Sequence, residues 1–202
     1  MSRIQNRNQR VKQLALMGVL TAVMVVLGYY NIPMPFGLSI TFNMIPVAIA
    51  GMAMGLWGGT AMGAVFGLIS FLQCFGILGT SGMGAQLVAV APWWMSLVQR
   101  FGTRVLMGFL TALIFKLMGN RVHITIRSAV TGFASAFLNT LLFMSVLVLL
   151  FGHTAYMQEK MAGRGFLAYL VGSVGINGLV EMGTATLLTG AIGTALRKAR
   201  MI

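Results

Sequence analysis

Aspartate is absent from these 202 residues, and glutamate occurs only as Glu159 and Glu181. With no aspartate there are no paired-aspartate metal sites of the kind membrane phosphotransferases use. Nor does any Ser or His stand with a carboxylate in a way that prepares nucleophilic catalysis. The two histidines, His123 and His153, fall in loops on opposite sides of the topology derived below and share no metal. No Gly-x-x-x-x-Gly-Lys segment occurs, which excludes P-loop ATP hydrolysis by this chain. Cys74 is alone, so an intramolecular disulfide is excluded and a structural buried thiol is expected. Charge of any sign is scarce, at 8% of residues, where soluble domains carry about 25%. An enzyme is poorly served by this inventory.

What is present is apolar. Hydrophobic residues make up 58% of the chain and the mean hydropathy is +0.90, which marks an integral membrane protein. A spanning helix needs roughly 20 mostly apolar residues. Six such stretches run over about 12–30, 42–56, 58–76, 93–117, 127–151 and 166–196. The second is short, carries Pro46 near its start, and is parted from the third only by the turn Gly55-Leu56-Trp57-Gly58-Gly59. The expected fold is therefore all-α, a single six-helix transmembrane domain over 1–202 with short basic tails at 1–11 and 197–202. The basic start followed by an apolar run resembles a secretory leader. The run is long and no small-residue cleavage site follows, so an uncleaved first helix is expected.

Ten of the fourteen basic residues lie on one face of this layout: Arg3, Arg7, Arg10, Lys12, Lys116, Arg121, Arg127, Arg197, Lys198 and Arg200. Lys160 and Arg164 lie on the other, and Arg100 and Arg104 fall inside the fourth stretch. The positive-inside rule then makes both termini cytoplasmic. Topology and anionic lipid account for the net charge of +12, and nucleic acid is not a partner, because the basic residues are scattered over tails and turns.

Three segments face outward, near 30–41, 77–92 and 152–165. The first holds Asn31, Pro33, Pro35 and Phe36 and is apolar for an exposed loop. It reads as a lid that folds back over a cavity, or as a loop resting on the bilayer interface. The second has Gly76, Gly79, Gly82 and Gly84 before the step Pro92-Trp93-Trp94. Trp93 is a candidate pocket residue, and tryptophans so placed also serve as interfacial anchors.

Within the stretches the polar residues are few: Asn43, Gln73, Arg100, Arg104, Asn139, Asn177 and Glu181. At about 1.5 Å per residue their depths are compatible with one outward-opening cavity. Asn177 and Glu181 are one turn apart near the middle of the sixth stretch, and Arg100 and Arg104 share a face of the fourth. An ionisable group in hydrocarbon is costly and reads as functional. Amides plus a guanidinium suit a small polar ligand with a carboxylate, which Arg grips bidentately. The competing reading is a structural Arg104–Glu181 pair with amides bridging helices. Small residues form a second pattern: Ala15, Gly18 and Ala22 on the first helix, and Gly51, Gly55, Gly59, Gly63 and Gly67 at four-residue spacing, both permitting close helix contact within or between chains.

With this layout, the stretches Ser39-Ile40-Thr41-Phe42-Asn43-Met44-Ile45-Pro46, Gly67 to Gly76 and Ile176-Asn177-Gly178-Leu179-Val180-Glu181, together with the first-helix edge, resemble the S components of energy-coupling-factor (ECF) vitamin transporters. The resemblance covers nearly the whole chain and is greatest to the pantothenate-specific branch; folate-type and hydroxymethylpyrimidine-type branches share the scaffold. It implies high-affinity vitamin capture under the first outer loop, in the plasma membrane of a bacterium, with no cofactor bound by this chain. It also implies docking through Ala15, Gly18 and Ala22 onto a transmembrane coupling subunit driven by two ATPases, which use the ATP. The S component then reorients in the membrane to release its vitamin. Gly18 stands where the family's alanine is expected, and it keeps the edge small. The competing function is a self-contained transporter using Glu181 as proton carrier, but no inverted repeat or pair of broken helices is evident in the sequence.

Overall fold

The computed structural model describes residues 2–29, 32–33, 39–119, 122–161, 166–199 and 201–202, the side chains at 2–9, 32–33, 39–40, 166–170, 173–174 and 176–177 excepted. It is a helical bundle. Helix α1 runs Ser2–Tyr29 and leads into a minimal antiparallel pairing of β1 (Ile32–Pro33) with β2 (Ser39–Ile40), in the register Ile32 to Ile40. Helix α2 (Met44–Leu72) follows, then a single tight turn over Gln73–Phe75, then α3 (Gly82–Val90). The next span begins as α4 (Trp93–Leu97), widens into one π turn over Val98–Gly102, and continues as α5 (Thr103–Leu117). Helices α6 (Ile124–Phe151), α7 (Ala155–Met161) and α8 (Phe166–Lys198) complete the chain.

Five of the described helical segments are long and apolar enough to cross a membrane: Arg10–Tyr29, Met44–Phe75, Trp93–Leu117, Ile124–Phe151 and Gly178–Lys198. The second and third expected stretches are thus one continuous element, but it is not straight. Gly55 takes φ 68° and ψ −155°, a conformation open to glycine and strained for other residues. A Cβ on Gly59 would lie 3.3 Å from the Cα of Gly51, and one on Gly58 would lie 2.7 Å from the Ala50 carbonyl oxygen. Eight residues of straight helix would separate these pairs by about 12 Å. The chain therefore doubles back at Gly55, at the Gly-rich turn expected from the sequence. Trp57, just past the reversal, is exposed.

The glycine ridge seats this hairpin within the chain, on α5. Gly51 and Gly59 both meet Ala112, at 3.1 and 2.8 Å from their Cβ positions, and Gly67 meets the Cα of Phe101 at 2.8 Å. Gly63 faces the Arg104 carbonyl and Gly108 the Gly59 carbonyl so closely that no side chain fits between them. Small residues let the backbones approach to this distance. The α6–α8 pair uses the same device, with Gly132 against Ala185 and Thr189, and Gly193 against Ser128.

Two apolar cores result. The main one joins α1, α2, α5, α6 and α8 through Met24, Met44, Val47, Met62, Phe66, Met107, Ala136 and Ala185. A second, smaller core of Met83, Leu87, Met144, Leu147, Phe151 and Met157 packs α3 and α7 over the end of α6. Large apolar residues elsewhere face outward, among them Phe133 and Phe137, stacked at 6.1 Å. In lipid that exposure carries no hydrophobic penalty.

Candidate functional site

The site grows out of the π turn. A four-residue repeat drifts around an α-helix by about 40° per step, and a wider π turn takes some of that drift back. Gln99 and Arg100, Thr103 and Arg104, and Met107 and Gly108 are in consequence all buried on one broad face. Such single π turns frequently mark functional positions.

The two arginines of that face do different work. Arg100 is pinned: Nη1 donates to the Ser70 carbonyl at 3.2 Å and to Ser70 Oγ at 3.1 Å, and Nη2 donates to Ser81 Oγ at 3.0 Å. It ties the end of α2 to the start of α3, where Ser81 Oγ also accepts the Gly84 N–H. Arg104 has a single hydrogen bond, from Nη1 to Thr103 Oγ1 at 3.2 Å, and its Nε is sealed without a partner among the described residues. Its guanidinium lies between two rings, 5.0 Å from the centroid of Phe66 and 4.4 Å from that of Phe143. Arg100 also lies over Phe143, at 5.7 Å. Two cations thus sit in a membrane-spanning segment around one aromatic ring. Among the described residues, no carboxylate is ion-paired to either of them.

Glu181 stands on α8 six residues beyond a break at Gly175 (φ 12°, ψ −119°), about 9 Å along the helix by its rise. It is 7% exposed. Its Oε1 accepts the backbone N–H of Thr41 at 2.9 Å, 140 residues away in the chain. No hydrogen bond among the described residues joins Arg104 to Glu181, whose Oε1 bonds the residue that follows β2, though the two charges still act on each other. Thr41 is thereby held against α8, with the buried Asn43 and Met44 just beyond it.

Asn43, at the start of α2, is 2% exposed, and its Oδ1 has no partner among the described residues. Next to it, the Met44 carbonyl accepts Ser135 Oγ from α6 at 3.0 Å, and that hydroxyl also lies 3.6 Å from Met107 Sδ. One turn from Ser135 on α6 is the half-buried Asn139, and one turn further is Phe143. Asn139 accordingly occupies the stretch of α6 between the Asn43 end of α2 and the arginine pair.

Other candidates stand apart. Gln73 donates through Nε2 to the carbonyls of Gly28, at 3.0 Å, and Leu78, at 3.3 Å. It fastens the end of α1 to a turn in which Gly76, Leu78 and Gly79 all have positive φ. Trp93 is 59% exposed just after Pro92, an anchor's position. Ala15, Gly18 and Ala22 form a bare edge on α1, and a Cβ on Gly18 would meet nothing within 4 Å. Pro33 lies in β1, whereas Asn31, Pro35, Phe36 and the side chain of Asn177 lie outside the described residues.

Three features escaped sequence reasoning. Gln99 is fully buried, and neither polar atom of its amide has a partner among the described residues. Thr103 Oγ1 donates to the Gln99 carbonyl at 2.5 Å and accepts from Arg104, linking the two residues. Both polar residues lie within the same stretch as the arginines, so a complete polar inventory finds them. Phe66 and Phe143 carry no such signal, because apolar stretches are full of aromatics that only pack.

The helical bundle, its membrane-length apolar helices and its outward-facing apolar residues define an integral membrane protein. Residues 12–193 match the family described as the substrate-specific component of ECF transporters. The chain belongs to that family. It is similar to the pantothenic acid transporter PanT of Lactococcus lactis subsp. cremoris (strain MG1363), with 30% identity over 207 residues that cover 96% of this chain and 98% of that protein.

Proposed function

We propose that this chain captures pantothenate at the outer side of a bacterial plasma membrane and, as the S component of an ECF importer, delivers it inward. The observation that carries the reading is Arg104, a buried guanidinium with one weak neutral partner. A ligand carboxylate is the counter-charge such a group calls for, and a charge-assisted contact of that kind is worth about twice a neutral one. Pantothenate has one carboxylate, two hydroxyls and an amide, which suit Arg104, Asn43, Asn139, Asn177 and Glu181. The similarity to the Lactococcus protein supports the same vitamin.

In this reading the Gly55 hairpin supplies two of six membrane elements, and both termini are cytoplasmic. Arg100 and Gln73 hold the second outer loop as a fixed wall. The segment around Pro33, Pro35 and Phe36 covers the pocket. The edge Ala15, Gly18 and Ala22 docks on the coupling subunit, two ATPases drive reorientation with their ATP, and this chain binds no cofactor. The test is uptake of labelled pantothenate with and without co-expressed coupling and ATPase subunits. Uptake that needs them supports the reading, and uptake by the chain alone overturns it.

A further inference from the structure

Phe143 serves two guanidinium groups that are committed to different degrees. Arg100 uses both terminal nitrogens, Nη1 on Ser70 and Nη2 on Ser81, and its Nε is sealed. Arg104 has Nη1 on Thr103 Oγ1 and a sealed Nε, but its Nη2 is neither sealed nor bonded among the described residues. That nitrogen is the open edge of a side chain only 6% exposed. The faces of the same guanidinium are taken up, since its carbon lies over the rings of Phe66 and Phe143. A planar cation held by its faces offers its rim, and arginine grips a carboxylate through the rim.

The two rings are not equivalent. Phe66 belongs to the main core and has Arg104 alone over it. Phe143 packs on the smaller core under α3 and α7, and it carries Arg100 at 5.7 Å as well as Arg104 at 4.4 Å. The negative face of a ring draws both cations, which otherwise repel each other where water is excluded. Arg100 is fixed by its three hydrogen bonds, so the pull of the ring decides where the freer Arg104 rests. We infer that Phe143 is a positioning residue: its ring holds the Arg104 guanidinium by the face, against repulsion from Arg100, so that Nη2 stays free for the ligand. It thereby sets the preference for an organic acid over a neutral analogue of the same shape. The inference rests on the reading that Arg104 meets the ligand's carboxylate. A ring that only packed would support both ligands alike.

The experiment uses the full chain purified in detergent, with Phe143 replaced through nonsense suppression by mono-, di- and trifluorinated phenylalanine. Fluorine drains the negative ring face at nearly constant shape, so packing is kept while the pull on a cation fades in steps. Competition against labelled pantothenate gives the affinity for pantothenate and for pantothenol, in which a primary alcohol replaces the carboxylate. Affinity for the acid is expected to fall in steps, on the order of tenfold at full fluorination, while that for the alcohol stays within about twofold. The same series at Phe133, which faces outward, should change neither. A second readout needs no ligand. Trifluorination at Phe143 should lower the unfolding temperature by about 2–4 °C in the wild type, and by less than half as much in Arg104→Met. Unchanged acid affinity across the series, an equal fall for acid and alcohol, or the same thermal shift in both backgrounds overturns the inference. Absence of pantothenate binding by the wild type would instead refute the capture reading, and the thermal comparison would still decide whether the ring holds Arg104.

Discussion

Replacing Arg104 with methionine separates binding from stability in a way that few residues allow. In the ligand-free chain the guanidinium carries a burial cost, about 2.5–3.5 kcal/mol at the centre of a span on insertion scales. Stacking on Phe66 and Phe143 returns about 0.5–2 kcal/mol per ring, and the contact with Thr103 about 1 kcal/mol. The two sides nearly cancel, so Arg104→Met should leave thermal stability unchanged or slightly raised. In the proposed complex the same residue faces the ligand's carboxylate, and truncating one side of a buried charge pair costs about 2–5 kcal/mol. At about 1.4 kcal/mol per tenfold, affinity should fall at least 30-fold. Arg100→Met is the control. It forfeits the bonds to Ser70 and Ser81 that hold the outer wall, so its thermal stability should drop. Calorimetric titration and thermal unfolding, both in detergent, measure the two quantities. Wild-type affinity in Arg104→Met would refute the assignment, as would a stability loss equal to that of Arg100→Met without any loss of affinity.

Three further outcomes follow from the packing. Gly108→Val places a side chain against the Gly59 carbonyl at the tightest point of the α2–α5 seam, and should cost more than about 3 kcal/mol or prevent folding, read by thermal unfolding. Gln99→Leu replaces a buried amide without partners and should stabilise the ligand-free chain by about 1–3 kcal/mol in the same assay. Gly18→Leu fills open space on α1, so detergent binding and stability should match wild type while uptake by the assembled transporter is lost. Retained uptake would free that edge from docking.

The helical class and the reversal at Gly55 were legible because each rests on composition or on glycine, whose chemistry is local. Of the ridge Gly51, Gly55, Gly59, Gly63 and Gly67, four were legible as a contact surface while Gly55 makes the reversal and touches nothing, and the partner was not legible: only tertiary packing sets the ridge on α5. The buried polar residues could be listed from the sequence, but their hydrogen-bond partners could not. Arg104 and Glu181 have matching charge and depth, yet Glu181 meets the Thr41 backbone, a donor that every residue except proline possesses and that sequence therefore cannot single out. The π turn is equally silent. Nothing in Val98-Gln99-Arg100-Phe101-Gly102 marks it, and it brings Gln99 and Thr103 onto the buried face beside the arginines.

The central claim is that this chain by itself captures pantothenate through Arg104. Calorimetric titration of the purified wild-type chain and of Arg104→Met with pantothenate tests it most directly. Tight saturable binding at one vitamin per chain is expected for the wild type and its loss for the variant. Absence of binding by the wild type, or equal binding by both proteins, would contradict it.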